Sequence, residues 1–264
     1  GYILFVIPSI LVSISFTPIL LSVAPVPAFD TTKPLSFLRL YRASPLGCVG
    51  MFLLGGVFSA QFGMSSVWGT QVGRSVRDIS IYVAAIYVGG MVLQYPIGWA
   101  SDRMDRRMLV VGLSAIGSLG MGIAAVFDLS FPFLLCIAAL MGGISNPLYS
   151  LLVAYTNDRL DNSDMPAAAA GLIFINGLGA ISGPLIAGWM MGRFGSDAFY
   201  SFIGILFGAI AIYGSWRATR RRNLPSEQSA GFTPLSPTAG VIAVEAVMDA
   251  RQENVAAQPD SAAE

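Results

Sequence analysis

Apolar residues fall into seven long blocks, roughly 2–28, 46–72, 79–98, 108–127, 131–155, 167–191 and 198–216, with the charged residues gathered in the gaps between them and after the last. A helix needs about 20 mainly apolar residues to cross a ~30 Å hydrocarbon core, and each block has about that length. Helices in a soluble core are neither so long nor so continuously apolar, so the pattern predicts seven membrane spans in an all-α protein. Within the blocks the amides are unevenly placed. Gln61 and Gln71 lie in the second, Gln94 in the third, Asn146 in the fifth and Asn176 in the sixth, while 2–28, 108–127 and 198–216 carry none.

Composition agrees with the pattern. Hydrophobic residues make up 55% of the chain and charged residues 11%, and the mean hydropathy of +0.68 is above what a soluble domain tolerates. The 29 glycines and 15 prolines do not argue against helices, since both are commoner in membrane spans than in soluble helices. A net charge of zero implies no nucleic-acid surface. Without histidine, imidazole catalysis and histidine-bound metals are excluded, and Cys48 and Cys136 read as neither a disulfide nor a metal pair. No cofactor, no metal and no catalytic residue is expected.

Loop charges set an orientation, because Lys and Arg accumulate on the cytoplasmic side. With 29–45 inside, the alternate loops hold Lys33, Arg39, Arg42, Arg103, Arg106, Arg107, Arg159, Arg217, Arg220, Arg221 and Arg222, eleven positive residues. The opposite loops hold Arg74, Arg77 and Arg193, which is three. The first residue is therefore expected outside and the C-terminus inside. Gly1 stands already within an apolar run, so 2–28 reads as a true span whose upstream neighbours are missing rather than as a signal peptide. From Asn223 to Glu264 the chain is rich in Ala, Ser, Pro and Gln, with six acidic residues and one arginine. That tail is expected to be disordered, with at most a weak amphipathic helix over 241–250.

The densest polar cluster is Gly98-Trp99-Ala100-Ser101-Asp102-Arg103-Met104-Asp105-Arg106-Arg107, in which five of ten residues are charged. This stretch resembles the signature loop of the major facilitator superfamily, usually written G-x-L-A/S-D-R-x-G-R-R/K. Gly98, Ser101, Asp102, Arg103, Arg106 and Arg107 match; Ala100 and Asp105 stand where Leu and Gly are usual. A second resemblance is Gly179-Ala-Ile-Ser-Gly183-Pro184-Leu-Ile-Ala-Gly188, similar to the superfamily pattern G-x-x-x-G-P-x-x-x-G.

The resemblance implies a layout. The loop joins the second and third helices of a six-helix half, so 46–72 becomes helix seven and 79–98 helix eight. Residues 1–28 become helix six, 29–45 a cytoplasmic connector, 46–222 a C-terminal six-helix bundle, and 223–264 a tail. The missing part would be helices one to five of the N-terminal half. In that fold helices seven, eight, ten and eleven line the central cavity, and these are the blocks that carry the amides.

Polar side chains in hydrocarbon are costly and face protein or water. Gln61, Asn146 and Asn176 are the deepest and are the candidates for substrate contact, each with the alternative of bridging two helices at ~0.6 kcal/mol. Tyr82, Tyr87 and Tyr149 are further cavity candidates, and Pro147 frees a carbonyl one turn earlier. Gly179, Gly183 and Gly188 read as a packing surface and Pro184 as a bend. Asp102 is the expected gate, paired with Arg159 in one orientation only. Gly98, Arg103, Arg106 and Arg107 belong to the same conformational element, and the three arginines also serve as topology anchors.

The function these features imply is a secondary transporter of a small organic solute, working by alternating access, in a lipid bilayer. The expected site is the cytoplasmic (inner) membrane of a bacterium. Mid-span Arg or Lys, expected for an inorganic anion, is absent from the sequence. A proton-coupled exporter would take its buried carboxylate from the missing half, since none lies mid-span here. A uniporter stays open, and so does a non-transporting sensor or assembly partner on the same scaffold.

Overall fold

The computed structural model describes residues 2–21, 36–161 and 164–219, and the expectations for the tail and for Arg220, Arg221 and Arg222 lie outside them. Among the described residues the chain is helical with no strand. Two compact units are present, Gly1–Thr31 and Thr32–Glu264. In the first, helix α1 (Ile3–Leu21) is mainly apolar and uncharged, and the hydroxyls of Ser9, Ser13 and Ser15 donate back to carbonyls of their own helix.

The second unit begins, among the described residues, with a short helix, α2 (Phe37–Ala43), inside the segment expected to be a plain connector. Then come α3 (Pro45–Ser59), a π turn (Ala60–Met64) and α4 (Ser65–Gln71), which together form one span. The remaining spans are α5 (Val76–Ser101), α6 (Arg106–Val126), α7 (Phe131–Asn157), α8 (Met165–Phe194) and α9 (Ala198–Ala218). Six spans among the described residues are long and apolar enough to cross a membrane. Their ends are written locally. Ser75 caps α5 by accepting from Asp78 N at 3.1 Å, Asp105 caps α6 by accepting from Arg107 N at 2.7 Å, and prolines open α3, α7 and α8. Gly73 and Gly195 end α4 and α8 at φ 71° and 93°, a backbone that L side chains avoid.

The spans pair across the sequence rather than along it. The three dominant contacts are α5 with α7, α6 with α9, and α3 with α8. Exchanging the trio α3, α5, α6 for the trio α7, α8, α9 maps this scheme onto itself, as two three-helix repeats would. The repeat holds at atomic level. A Cβ on Gly55 would fall on the carbonyl of Asn176, and one on Gly179 on the carbonyl of Phe52. At the equivalent crossing, a Cβ on Gly142 would fall on the carbonyl of Ile86, and one on Gly89 on that of Ala139. Each glycine thus faces the carbonyl one turn before the facing glycine. Leu54-Gly55-Gly56-Val57 on α3 is echoed by Met141-Gly142-Gly143-Ile144 on α7. In that register Ala60, where the π turn starts, corresponds to Pro147.

The third crossing, α6 with α9, is looser: Ser118 donates to the Gly204 carbonyl at 2.9 Å, and Gly117 seats the Phe207 ring. At one end of the bundle, Trp68, Tyr82, Phe199 and Tyr200 pack α4, α5 and α9 together, with ring centroids 4.9 to 5.8 Å from Trp68. Elsewhere α5 and α8 are the least covered spans and α3–α4 the most.

The crossings predict a sharp positional contrast. Gly55→Val and Gly142→Val should each destabilise the bundle by about 1–3 kcal/mol, through a forced backbone separation. Gly112→Val, where a Cβ meets nothing within 4 Å, should stay within about 0.5 kcal/mol. Thermal midpoints from fluorescence-detected size-exclusion chromatography measure both; equal effects at the three sites would contradict the packing scheme.

Candidate functional site

Two regions concentrate the polar side chains: the charged loop at one end of the bundle, and a set of amides and rings halfway along it. At the loop, Arg106 and Arg107 are almost fully buried, with 3% and 4% exposure. Arg106 opens α6, and its Nη1 donates to both carboxylate oxygens of Asp158 at 2.7 Å, while its Nε donates to Ser101 at 3.3 Å. Ser101 ends α5 and Asp158 caps the end of α7, so one guanidinium ties three helix ends together. Arg107 Nη1 donates to the carbonyl of Arg217 at 3.4 Å, at the end of α9, where a cation suits the helix dipole. Charges removed from water survive only when paired in this way.

The other loop residues stand at the surface. Asp102 is exposed at the end of α5. Arg103 stacks 4.1 Å over the Trp99 ring and donates to the Trp99 carbonyl. Arg159, the cation expected for Asp102, lies 3.5 Å over the Tyr155 ring and donates to the Tyr155 carbonyl at 2.6 Å. Burial pulls its guanidinium below the ordinary arginine range, with Tyr155 and Asp158 opposing that pull. Gly98 is buried near the end of α5. Across the same end, Arg39 of α2 pairs with Asp164, the residue that caps α8, at 2.7 Å. Ring contact between Phe37 and Phe174 and the burial of Leu40 hold α2 in place.

In the middle of the bundle, Gln61 has no exposed surface. It sits in the π turn, and its Oε1 accepts from Ser145 Oγ at 2.9 Å, tying that turn to α7 just before Pro147. Its Nε2 is buried and has no hydrogen-bond partner. Asn176 is half-buried and donates to the Met51 carbonyl at 3.0 Å, so it bridges α8 to α3. Asn146 is half-buried and donates to its own helix at Gly142, 3.0 Å away. A Cβ on Gly90 would lie 2.7 Å from Asn146 Nδ2, so α5 passes directly over this amide.

The tyrosines separate. Tyr82 and Tyr149 are buried at 1% exposure, and Tyr87 is 60% exposed. Tyr82 belongs to the end cluster with Trp68. Tyr149 meets Phe58 edge-on at 6.2 Å, Phe58 stacks on Phe62 at 6.2 Å, and Phe62 meets Tyr87 at 5.1 Å. This file of rings runs from α7 through the π turn to the open face of α5. Gly179 and Gly183 lie in the α3–α8 crossing, and Pro184 follows them inside α8. A Cβ on Gly188 would stand 3.6 Å from Met64.

Sequence reasoning passed over Asp158, Ser145, Phe62 and the π turn. Asp158 had one usable signal, an acid next to Arg159 at the end of a span. The π turn had none, since Ala60–Met64 holds no proline and only one glycine.

The profile of the Major Facilitator Superfamily matches residues 46–252. The chain is 29% identical over 187 residues to the uncharacterised MFS-type transporter YfkF of Bacillus subtilis, covering 69% of this chain and 47% of that protein. It is 25% identical over 178 residues to the uncharacterised MFS-type transporter Ent638_1421 of an Enterobacter, and 24% over 178 residues to the uncharacterised MFS-type transporter YcaD of Escherichia coli. Both matches cover 66% of this chain and 44% of the relative. The chain spans about half the length of the curated relatives it matches.

The Arg106 joint makes its own prediction. Asp158→Asn and Arg106→Gln should each lower stability by about 3–5 kcal/mol, because the remaining partner stays buried without its counter-charge. Arg106→Lys keeps the charge but loses the Ser101 contact, and should fall between. Thermal midpoints in detergent test this; midpoints within a degree of the parent would show that the pair holds nothing together.

Proposed function

The chain belongs to the major facilitator superfamily, and on that premise we propose that it forms the C-terminal half of a secondary transporter moving a small organic solute by alternating access. Family and spans make it an integral, multi-pass membrane protein of a transporter family. In this reading 46–222 is the six-helix bundle, 2–28 the preceding span and 29–45 the connector, with the N-terminal half as the partner of the open face.

The observation that carries the reading is where the backbone irregularities fall. The π turn in α3–α4 and Pro147 inside α7 fall at equivalent positions. Irregular backbone at membrane depth is tolerated only where it is buried or lines a water-filled cavity. Single π turns inside α-helices are also frequent at functional sites. On the neighbouring spans, α5 exposes Tyr87 and Met91, and α8 exposes Leu178 and Ile181. A face so open, beside two spans of irregular backbone, suits a cavity closed by a second bundle. Asn146 and Asn176 serve as substrate contacts at its edge, and Gln61 supports the π turn from inside.

The charged loop supplies the gate in this reading. Arg106 and Arg107 fasten the loop to the ends of α5, α7 and α9, which leaves Asp102 presented at the surface. From there it meets the other half in one orientation and not the other, a difference that biases the rocking equilibrium. The excess of arginine at this end supports a cytoplasmic position for it in this reading. None of the six spans carries a mid-span carboxylate, so proton coupling would draw on a residue outside this chain.

Full-length protein in proteoliposomes, screened against a panel of labelled organic solutes with and without a pH gradient, tests the reading. Asp102→Asn should insert and melt like the parent yet lower flux about fivefold or more, within the usual range of conformational couplings. Unimpaired flux would remove the gate, and movement of no solute at all would remove transport.

A further inference from the structure

We propose that Phe62, Tyr87 and Asn146 form one binding site, and that it takes a flat, uncharged aromatic solute carrying a single hydroxyl or N–H group. The inference rests on the transporter reading and deepens it by naming the chemistry of the cargo. Three elements converge here. Phe62 belongs to the π turn and is half-buried, while Tyr87 stands 60% exposed on α5 with its ring 5.1 Å from Phe62 at an angle of 30°. Tyr87 and Gly90 are three residues apart and share a face of α5. Asn146 packs against Gly90, so its amide meets α5 one helical turn along the backbone from Tyr87.

The chemistry of this surface is selective. Tilted rings with one face open receive another ring in offset or edge-on contact. Phe62 is backed by Phe58, which is itself backed by Tyr149, so the wall is preorganised rather than assembled by the ligand. Asn146 spends one N–H on the Gly142 carbonyl, leaving its Oδ1 and its second N–H for a single polar group. A charged ligand has no counter-charge here: Pro45–Gln71, Phe131–Asn157 and residues 79–98 of α5 contain no Asp, Glu, Lys or Arg. An unpaired ion taken from water is strongly disfavoured. An aliphatic solute of the same outline would forgo the ring contacts.

The test uses full-length protein in lipid nanodiscs and five probes, 2-naphthol, naphthalene, decahydro-2-naphthol, 2-naphthoate and N-methylquinolinium, read by isothermal titration calorimetry. 2-Naphthol should bind, and the other four should bind at least about threefold to tenfold more weakly, the span of one or two ring contacts or of a hydrogen bond. Phe62→Leu and Tyr87→Leu should each erase the preference for 2-naphthol over its saturated analogue. Asn146→Leu should erase the preference for 2-naphthol over naphthalene. Gel filtration of each variant checks folding, and Ile212→Leu on α9 is the control that should bind like the parent. Equal binding of the aromatic and saturated probes, tighter binding of either ion, or parental preferences in the ring variants would overturn the proposal. If 2-naphthol binds in this order but proteoliposomes move no solute, the transport reading fails and the site stands. If another solute is carried while 2-naphthol does not bind, the site fails and transport stands.

Discussion

The bundle depends on backbone meeting backbone at two places. In hydrocarbon, apolar side chains gain nothing by leaving lipid for protein, so helices associate through close packing, and close packing needs small residues at the contact. Gly55 and Gly179 let α3 and α8 approach until each lacks room for a Cβ beneath a carbonyl of the other, and Gly142 and Gly89 do the same for α7 and α5. These crossings tie each three-helix repeat to the other, so neither trio holds together alone. Everything else is hung on them: the end cluster around Trp68, the Arg106 joint, and the open faces of α5 and α8.

The same crossings explain why the polar middle of the bundle can exist. Beyond Gly55 and Gly142 the two equivalent spans each carry an irregularity, a π turn in one and Pro147 in the other. The π turn is tied to α7 by the Gln61–Ser145 hydrogen bond, and Asn146 turns back on its own helix at Gly142. A buried amide that satisfies only part of its bonding capacity is costly. Gln61 is in that position, and its cost is borne by a bundle whose crossings leave it nowhere else to go. The rings of Phe58, Phe62 and Tyr87 then lead from this packed interior to the exposed face.

Much of this was legible in the chain. Hydropathy places the six spans of the bundle to within a few residues at either end, because length and apolar content are set by the bilayer and not by tertiary contacts. The charged loop at 98–107 marks its own helix ends, since Asp105 and the arginines act within a turn of where they stand. The glycines of Gly179-x-x-x-Gly183 fall in a crossing, as such spacing suggests. What was not legible depends on residues far apart in the chain. Asp158 lies 52 residues from Arg106, and Arg159 beside it is the more conspicuous charge. The burial of Gln61 against the half-burial of Asn146 follows from which neighbours each span packs against, which no local pattern encodes. The π turn at Ala60–Met64 has no proline to announce it, and it is visible only through its equivalence with Pro147. The short helix α2 was hidden for a similar reason, since Leu40 is its only buried residue.

The central claim is that the level of the π turn and Pro147 opens on water and not on lipid. Site-directed cysteine labelling tests it most directly, in full-length protein within its membrane and with Cys48 and Cys136 replaced by Ser. Tyr87→Cys on α5 and Ile212→Cys on α9 replace side chains that are both exposed, at 60% and 72%, so exposure alone does not separate them. A hydrophilic maleimide should modify Tyr87→Cys readily and leave Ile212→Cys untouched, because only the first faces an aqueous cavity. Modification of Ile212→Cys with Tyr87→Cys inert would contradict the account and place the open face of α5 in the lipid.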